Sequence, residues 1–123
     1  MAATILKQGR VLIASIQTAL SDRELVELRD AFAEGVGRHR SRGVIIDVTA
    51  LDVLDSFATR TLREIAYTAK LRGATAVVVG IQPDVAFAMV QLGLSLDGVL
   101  TALDLEEGLA RLDDVGRNGS HAG

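Results

Sequence analysis

Two short runs of branched apolar residues limit what this chain can become. GVIIDV at residues 43–48 and AVVVG at residues 76–80 are too short and too β-branched to be helices. Unbroken apolar runs of this kind suit strands buried on both faces of a sheet. VLIASI at residues 11–16 is a third such strand, and the segment around Ile5 and Leu6 is a shorter partner joined to it through a Gln8-Gly9 turn. Between these runs the period changes. Ser21 with Glu24 opens a helix as a capping box, and Leu25, Leu28, Phe32 and Val36 then recur on one face. Gly35 and Gly37 weaken its end, leaving residues 37–43 as a basic turn.

A second helix is expected from about Ser56 to Leu71, with Phe57, Leu62, Ile65, Ala66 and Ala69 inward and Gly73 ending it. A third begins near Pro83, whose missing N–H costs nothing in a first helical turn; Val85, Ala86, Met89 and Val90 form its inner face and Gly93 stops it. GVLT at residues 98–101 fits a last short strand. Asp104 and Glu107 then open a helix lined by Leu105, Leu109 and Leu112. Strands alternating with helices give an α/β domain with a central sheet covered by helices. Residues 1–115 form this single domain, and residues 116–123 a tail with little to anchor it.

The 123 residues suffice for one core, and 49% apolar against 24% charged residues excludes a disordered chain. The absence of cysteine excludes disulfides and thiolate metal sites. No apolar run reaches the roughly 18 residues that span a bilayer, and the first ten residues do not read as a signal peptide, so a cytoplasmic protein without a membrane partner is expected. A net charge of −3 and only four aromatic residues oppose nucleic-acid binding. The basic stretch Arg38-His39-Arg40-Ser41-Arg42 is an anion-patch candidate, but it also suits a solvated turn after a helix.

In such sheets functional loops sit at the carboxyl ends of the strands, which directs attention to residues 46–60. This segment holds Asp47, Thr49, Asp52, Asp55, Ser56 and Thr59. Asp55 or Ser56 can be a plain N-cap. Alternatively, Ser56 accepts a phosphoryl group, which free N–H groups at a helix start can hold. Asp47, Asp52 and Asp55 are hard oxygen ligands, so a small Mg²⁺-dependent phosphotransferase is a further reading, although their spacing matches no metal motif. His39 and His121 are not placed as catalytic bases, and there is no G-x-S-x-G elbow or phosphate-binding G-x-x-x-x-G-K-[ST] loop. The expectation is a non-enzymatic protein with no catalytic residue, no metal site and no cofactor.

The segment GVIIDVTALDVLDSFATR, from Gly43 to Arg60, resembles the STAS domain of bacterial anti-sigma-factor antagonists: a strand ending in Asp, a loop, then Asp-Ser at a helix start. The resemblance covers roughly residues 4–114 and implies a single STAS-like domain, a mixed β-sheet of about four to five strands packed with about four α-helices. Simple antagonists commonly read Asp-Ser-Ser-Gly where this chain reads Asp55-Ser56-Phe57-Ala58. VVVGIQPDVAFAMVQLGL at residues 77–94 and TALDLEEGL at residues 101–109 are similar to the stressosome branch, nearest its small single-domain scaffold subunit.

That resemblance implies Ser56 as the phosphorylation site and Asp47, Thr49, Asp52, Asp55, Phe57 and Thr59 as a partner-binding switch loop. It also implies three kinds of partner: a serine/threonine switch kinase that the unphosphorylated scaffold sequesters, a sensor-bearing STAS scaffold subunit, and copies of the chain itself or a large hetero-oligomeric complex. ATP and Mg²⁺ belong to the kinase. The sensor-bearing subunits carry a second phosphorylatable Thr after the G-I-x-P turn; Val85-Ala86-Phe87-Ala88-Met89 here has no hydroxyl, which implies one switch site. A stand-alone anti-sigma-factor antagonist remains the alternative within the family.

Overall fold

The computed structural model describes residues 3–122, with side chains described over residues 3–116. Strands β1 (Ala3–Gln8), β2 (Val11–Ile16), β3 (Gly43–Asp47), β4 (Thr75–Val79) and β5 (Leu100–Ala102) form one sheet in sequence order. β1 runs antiparallel to β2, and the other neighbours are parallel, so the sheet is mixed. Helices α1 (Asp22–His39), α2 (Ser56–Leu71) and α3 (Pro83–Gln91) connect the parallel strands, and α4 (Leu105–Ala122) follows β5. The α/β class and the number of elements agree with the sequence reading.

Two apolar layers hold the sheet. Leu12, Ala14, Val44, Ile46, Ala76 and Val78 pack with Leu28 and Phe32 of α1, Leu62 and Ile65 of α2, and Val85 and Met89 of α3. On the opposite face Ile45, Val77 and Val79 meet Leu112 of α4. Successive residues of β3 and β4 thus serve opposite layers, which is why neither strand alternates apolar with polar residues.

Helix α1 departs from expectation by continuing through both glycines to His39; Arg40 supplies a left-handed C-cap. A mid-helix glycine costs about 1 kcal/mol relative to alanine. Packing overrides that cost here. A Cβ on Gly35 would lie 2.9 Å from Leu12 Cδ1, so glycine lets the helix approach β2, while the Arg72 side chain covers Gly37. Other expected faces are narrower than the periodicity suggested. Phe57 is half-buried, and Ala86, Val90 and Leu105 are exposed. Phe57, Ala86 and Val90 stand at the margins of their helices' apolar stripes, and Leu105 is the first residue of α4, ahead of the turns that pack on the sheet. The last strand begins at Leu100 rather than residue 98. The α4 backbone continues past the expected boundary at residue 115 to Ala122; the side chains of 117–123, His121 among them, lie outside the described residues.

Candidate functional site: the loop and helix start after β3

The loop from β3 to α2 is fastened at three points. Leu51 and Leu54 are buried in the main core, and the Val48 N–H donates to Val79 O at 3.0 Å. Asp47, at the end of β3, accepts hydrogen bonds on Oδ1 from the Thr49 N–H at 2.9 Å and the Thr49 hydroxyl at 2.6 Å. Gln82 reaches across from the start of α3, its Nε2 donating to Thr49 O at 2.5 Å. Gly80 has φ of +82°, a left-handed conformation that favours glycine, and an added Cβ would overlap the Thr49 hydroxyl and lie 3.0 Å from Thr49 Cβ. The loop is therefore packed and hydrogen-bonded against the β4–α3 turn.

The α2 N-cap is Asp55. Its Oδ1 accepts from the Ala58 N–H at 2.8 Å, and its carbonyl accepts from the Thr59 N–H at 2.9 Å and the Thr59 hydroxyl at 2.8 Å. Of the two candidate caps in the sequence, Asp55 takes the role and leaves Ser56 as the first helical residue. Ser56 is exposed, and its hydroxyl makes no hydrogen bond among the described residues. A side chain held on a capped helix, yet unencumbered at its oxygen, can be presented to a modifying enzyme with little rearrangement of the backbone.

The remaining candidates separate by burial. Asp52 is exposed on the loop, and Phe57 stands half-buried with the Arg60 guanidinium carbon 5.6 Å from its ring centroid. Thr59 is only 1% exposed and spends its hydroxyl on the helix, so it stiffens α2 and cannot present a partner-binding surface. The sequence reading grouped it with the loop segment 46–60; the helical period turns it inward.

Asp47, Asp52 and Asp55 do not converge. Asp47 is engaged by Thr49 and Asp55 by the helix start, and among the described residues no three carboxylates or imidazoles come together as a metal site. His39 lies in the last turn of α1, not in a loop. The basic stretch is also divided. Arg38 pairs with Glu34, Arg42 meets Asp113 at 2.7 Å, Arg40 caps the helix and Ser41 is buried.

Two groups of contacts escaped the sequence reading. Gln82 acts across the fold and left no local signal. Arg60 and Arg63 share an open groove of about 380 Å³ with Ser56, Thr59 and the segment Gly93 to Ser95. Their spacings of four and seven residues from Ser56 place all three on one helical face, a signal that could have been read.

Comparisons with known proteins agree with this geometry. The STAS domain family matches residues 2–108. The chain is 32% identical over 98 residues to the RsbT co-antagonist protein RsbRA of Bacillus subtilis (strain 168); the match takes in 80% of this chain and 34% of that protein, so this chain spans about a third of the relative's length. Among solved structures, RsbS of Moorella thermoacetica with a serine replaced by glutamate superposes with a TM-score of 0.80 at 33% identity, covering 95% of this chain and 99% of that one. A chain from the molecular architecture of the stressosome, described as a signal integration and transduction hub, gives a TM-score of 0.73 at 32% identity over 93% of this chain and 99% of its own. A family match across most of the chain, on a sheet whose third strand leads through a fastened loop to an acid-capped helix, shows that the chain belongs to the STAS domain family.

Proposed function

We propose that the chain is a non-enzymatic scaffold of a cytoplasmic stressosome, that in its unphosphorylated form it sequesters a serine/threonine kinase, and that phosphorylation of Ser56 releases that kinase. The observation that carries this reading is the exposed, hydrogen-bond-free hydroxyl of Ser56 on a helix whose cap is supplied by another residue. In the transfer, the Ser56 oxygen forms a bond to the γ-phosphorus of ATP, the β–γ bridge breaks, ADP departs and the serine proton passes to a base of the kinase. The chain provides the acceptor and the docking surface, and Asp47 and Asp55 hold backbone geometry.

Assembly with other STAS subunits is part of the same proposal. It is supported by the likeness to stressosome chains and by the exposed apolar side chains Phe87, Val90 and Leu92 on and after α3, a surface that a partner would cover. Among the described residues no helix is long and apolar enough to cross a membrane.

The test is phosphorylation of the purified chain by the candidate switch kinase with ATP, mapped by mass spectrometry. Phosphate is expected on Ser56, and Ser56→Ala should take it up only at background level while still binding the kinase. Undiminished incorporation in that variant would remove the assignment. Size-exclusion chromatography with a sensor-bearing STAS subunit separates the scaffold from a stand-alone antagonist, since only the scaffold should co-elute in a large complex.

A further inference from the structure

We propose that Arg60 and Arg63 form a built-in receiver for the phosphoryl group on Ser56, so that the modified serine is clamped onto the face of α2 instead of being left free beside the loop aspartates. This rests on the reading of Ser56 as the acceptor and adds a second role for its surroundings.

The placement follows from helix geometry. At 3.6 residues per turn, positions 56, 60 and 63 fall along one face. Long side chains on a helix lean toward its N-terminus, the direction in which Ser56 lies from Arg60 and Arg63. All three line the same open groove, floored by Thr59 and walled by Gly93, Leu94 and Ser95.

Charge pairing separates these two arginines from most others. Among the described residues Arg23, Arg29, Arg38, Arg42 and Arg111 each meet a carboxylate. Arg60 and Arg63 do not, although Asp52 and Asp55 lie on the adjoining loop. Arg60 rests over the Phe57 ring, and Arg63 donates from Nη1 to Ser95 O at 2.9 Å. Both interactions are weaker than a guanidinium–phosphate pair, which is charge-assisted and can be bidentate. Both arginines are exposed, so turning toward a phosphate requires only side-chain rotation.

The helix start alone is poorly supplied for the task. The Asp55 side chain already takes the Ala58 N–H, and its carboxylate would repel a second anion. A phosphoserine brings about −1.5 to −2 charges at pH 7. The two guanidinium groups offset that charge, whereas the helix end contributes only about half an elementary charge. Receiving the phosphate draws Arg60 away from Phe57 and Arg63 away from Ser95. Phosphorylation then alters the surface at two points at once: an aromatic face beside the switch serine becomes free, and the segment after α3 loses a tether.

The test uses the full chain with phosphoserine inserted at position 56 during translation, so that no kinase is involved. The second ionisation of the phosphate is followed by ³¹P NMR against pH. Nearby cations favour the dianion, so its pKa should lie lower in the otherwise native chain than in the Arg60→Gln/Arg63→Gln variant, by about half a unit or more. Arg60→Lys/Arg63→Lys should recover most of that difference, and raising the salt concentration should shrink it. Circular dichroism checks that the variants keep their helix content. Identical titrations for the native and Gln forms, both folded, would overturn the receiver. Kinase assays on the unmodified chain answer separately: a kinase that leaves Ser56 untouched overturns the functional reading, whatever the phosphorus titration shows.

Discussion

Two helices start at the same end of the sheet, α2 after β3 and α3 after β4, and their first turns are built in opposite ways. At α2 the cap is a side chain, Asp55, and the residue after it is a free hydroxyl. At α3 the preceding residue, Gln82, makes no side-chain cap, and Pro83 removes a donor that would otherwise need one. Gln82 instead sends its amide to Thr49 in the loop before α2. The α3 surface then shows Phe87 at 69% and Val90 at 76% exposure, with no hydroxyl between Val85 and Met89. One start is chemically open on a fixed backbone; the other is chemically inert and supplies part of the fixing. The proposed charge switch needs both, because a phosphate beside a loop free to drift would spend its effect on moving the loop.

The comparison is broken most severely at Gly80, where the two regions touch. Gly80→Ala forces a side chain into a left-handed backbone and against Thr49, and should cost about 3 kcal/mol in urea unfolding. A loss below about 0.5 kcal/mol would show that the β4–α3 turn does not hold the loop. A smaller effect is expected from phosphorylation itself. Phosphate on Ser56, with Arg60 and Arg63 drawn from their resting contacts, should weaken kinase binding at least about tenfold, or 1.4 kcal/mol, without loss of helical signal. Ser56→Asp should reproduce this only in part, having less charge and fewer oxygens. Calorimetry giving equal affinities for the modified and unmodified chains would refute release on phosphorylation.

The two caps can then be set against each other. Asp55→Ala should cost about 1 kcal/mol through the lost cap. Gln82→Ala should cost about as much through the lost bond to Thr49. Hydrogen exchange should distinguish them, with Asp55→Ala loosening the first turn of α2 and Gln82→Ala loosening the loop around Thr49. Matching exchange patterns would contradict the division of labour. The smallest effect belongs to α1, whose capping box provides a control away from the site. The Ser21 N–H, and secondly its hydroxyl, hold the Glu24 carboxyl below the ordinary glutamate pKa. A carboxylate lowered on folding stabilises fully above its unfolded pKa of about 4.3 and loses that contribution as the pH falls through its folded value. The small difference in urea midpoint between native chain and Glu24→Ala should therefore be present at neutral pH and fade in acid. A difference independent of pH would assign the loss to helix propensity alone.

Much of this arrangement is legible without coordinates because it depends on neighbours in the chain. Apolar runs mark β2, β3 and β4, the Ser21–Glu24 spacing marks the start of α1, and Asp55-Ser56 marks the start of α2, each through a local physical preference. The choice between Asp55 and Ser56 as cap was not legible, since both residue types are favoured caps and their positions differ by one residue.

Tertiary packing decided what local rules left open or misjudged. Gly35 and Gly37 read as the end of a helix because their cost is local, but the close approach of α1 to Leu12 and the covering Arg72 are gains made across the fold. Thr59 reads as a loop contact until α2 turns it inward; Phe57 and Val90 read as core until the neighbouring layers prove too narrow to cover them. Gln82 on Thr49 joins residues that no pattern in the chain connects. Periodicity determines which residues share a face, because it is a property of one helix or strand. The width of the buried part of that face, and the identity of what lies opposite, belong to a second element and are settled only when the two are packed together.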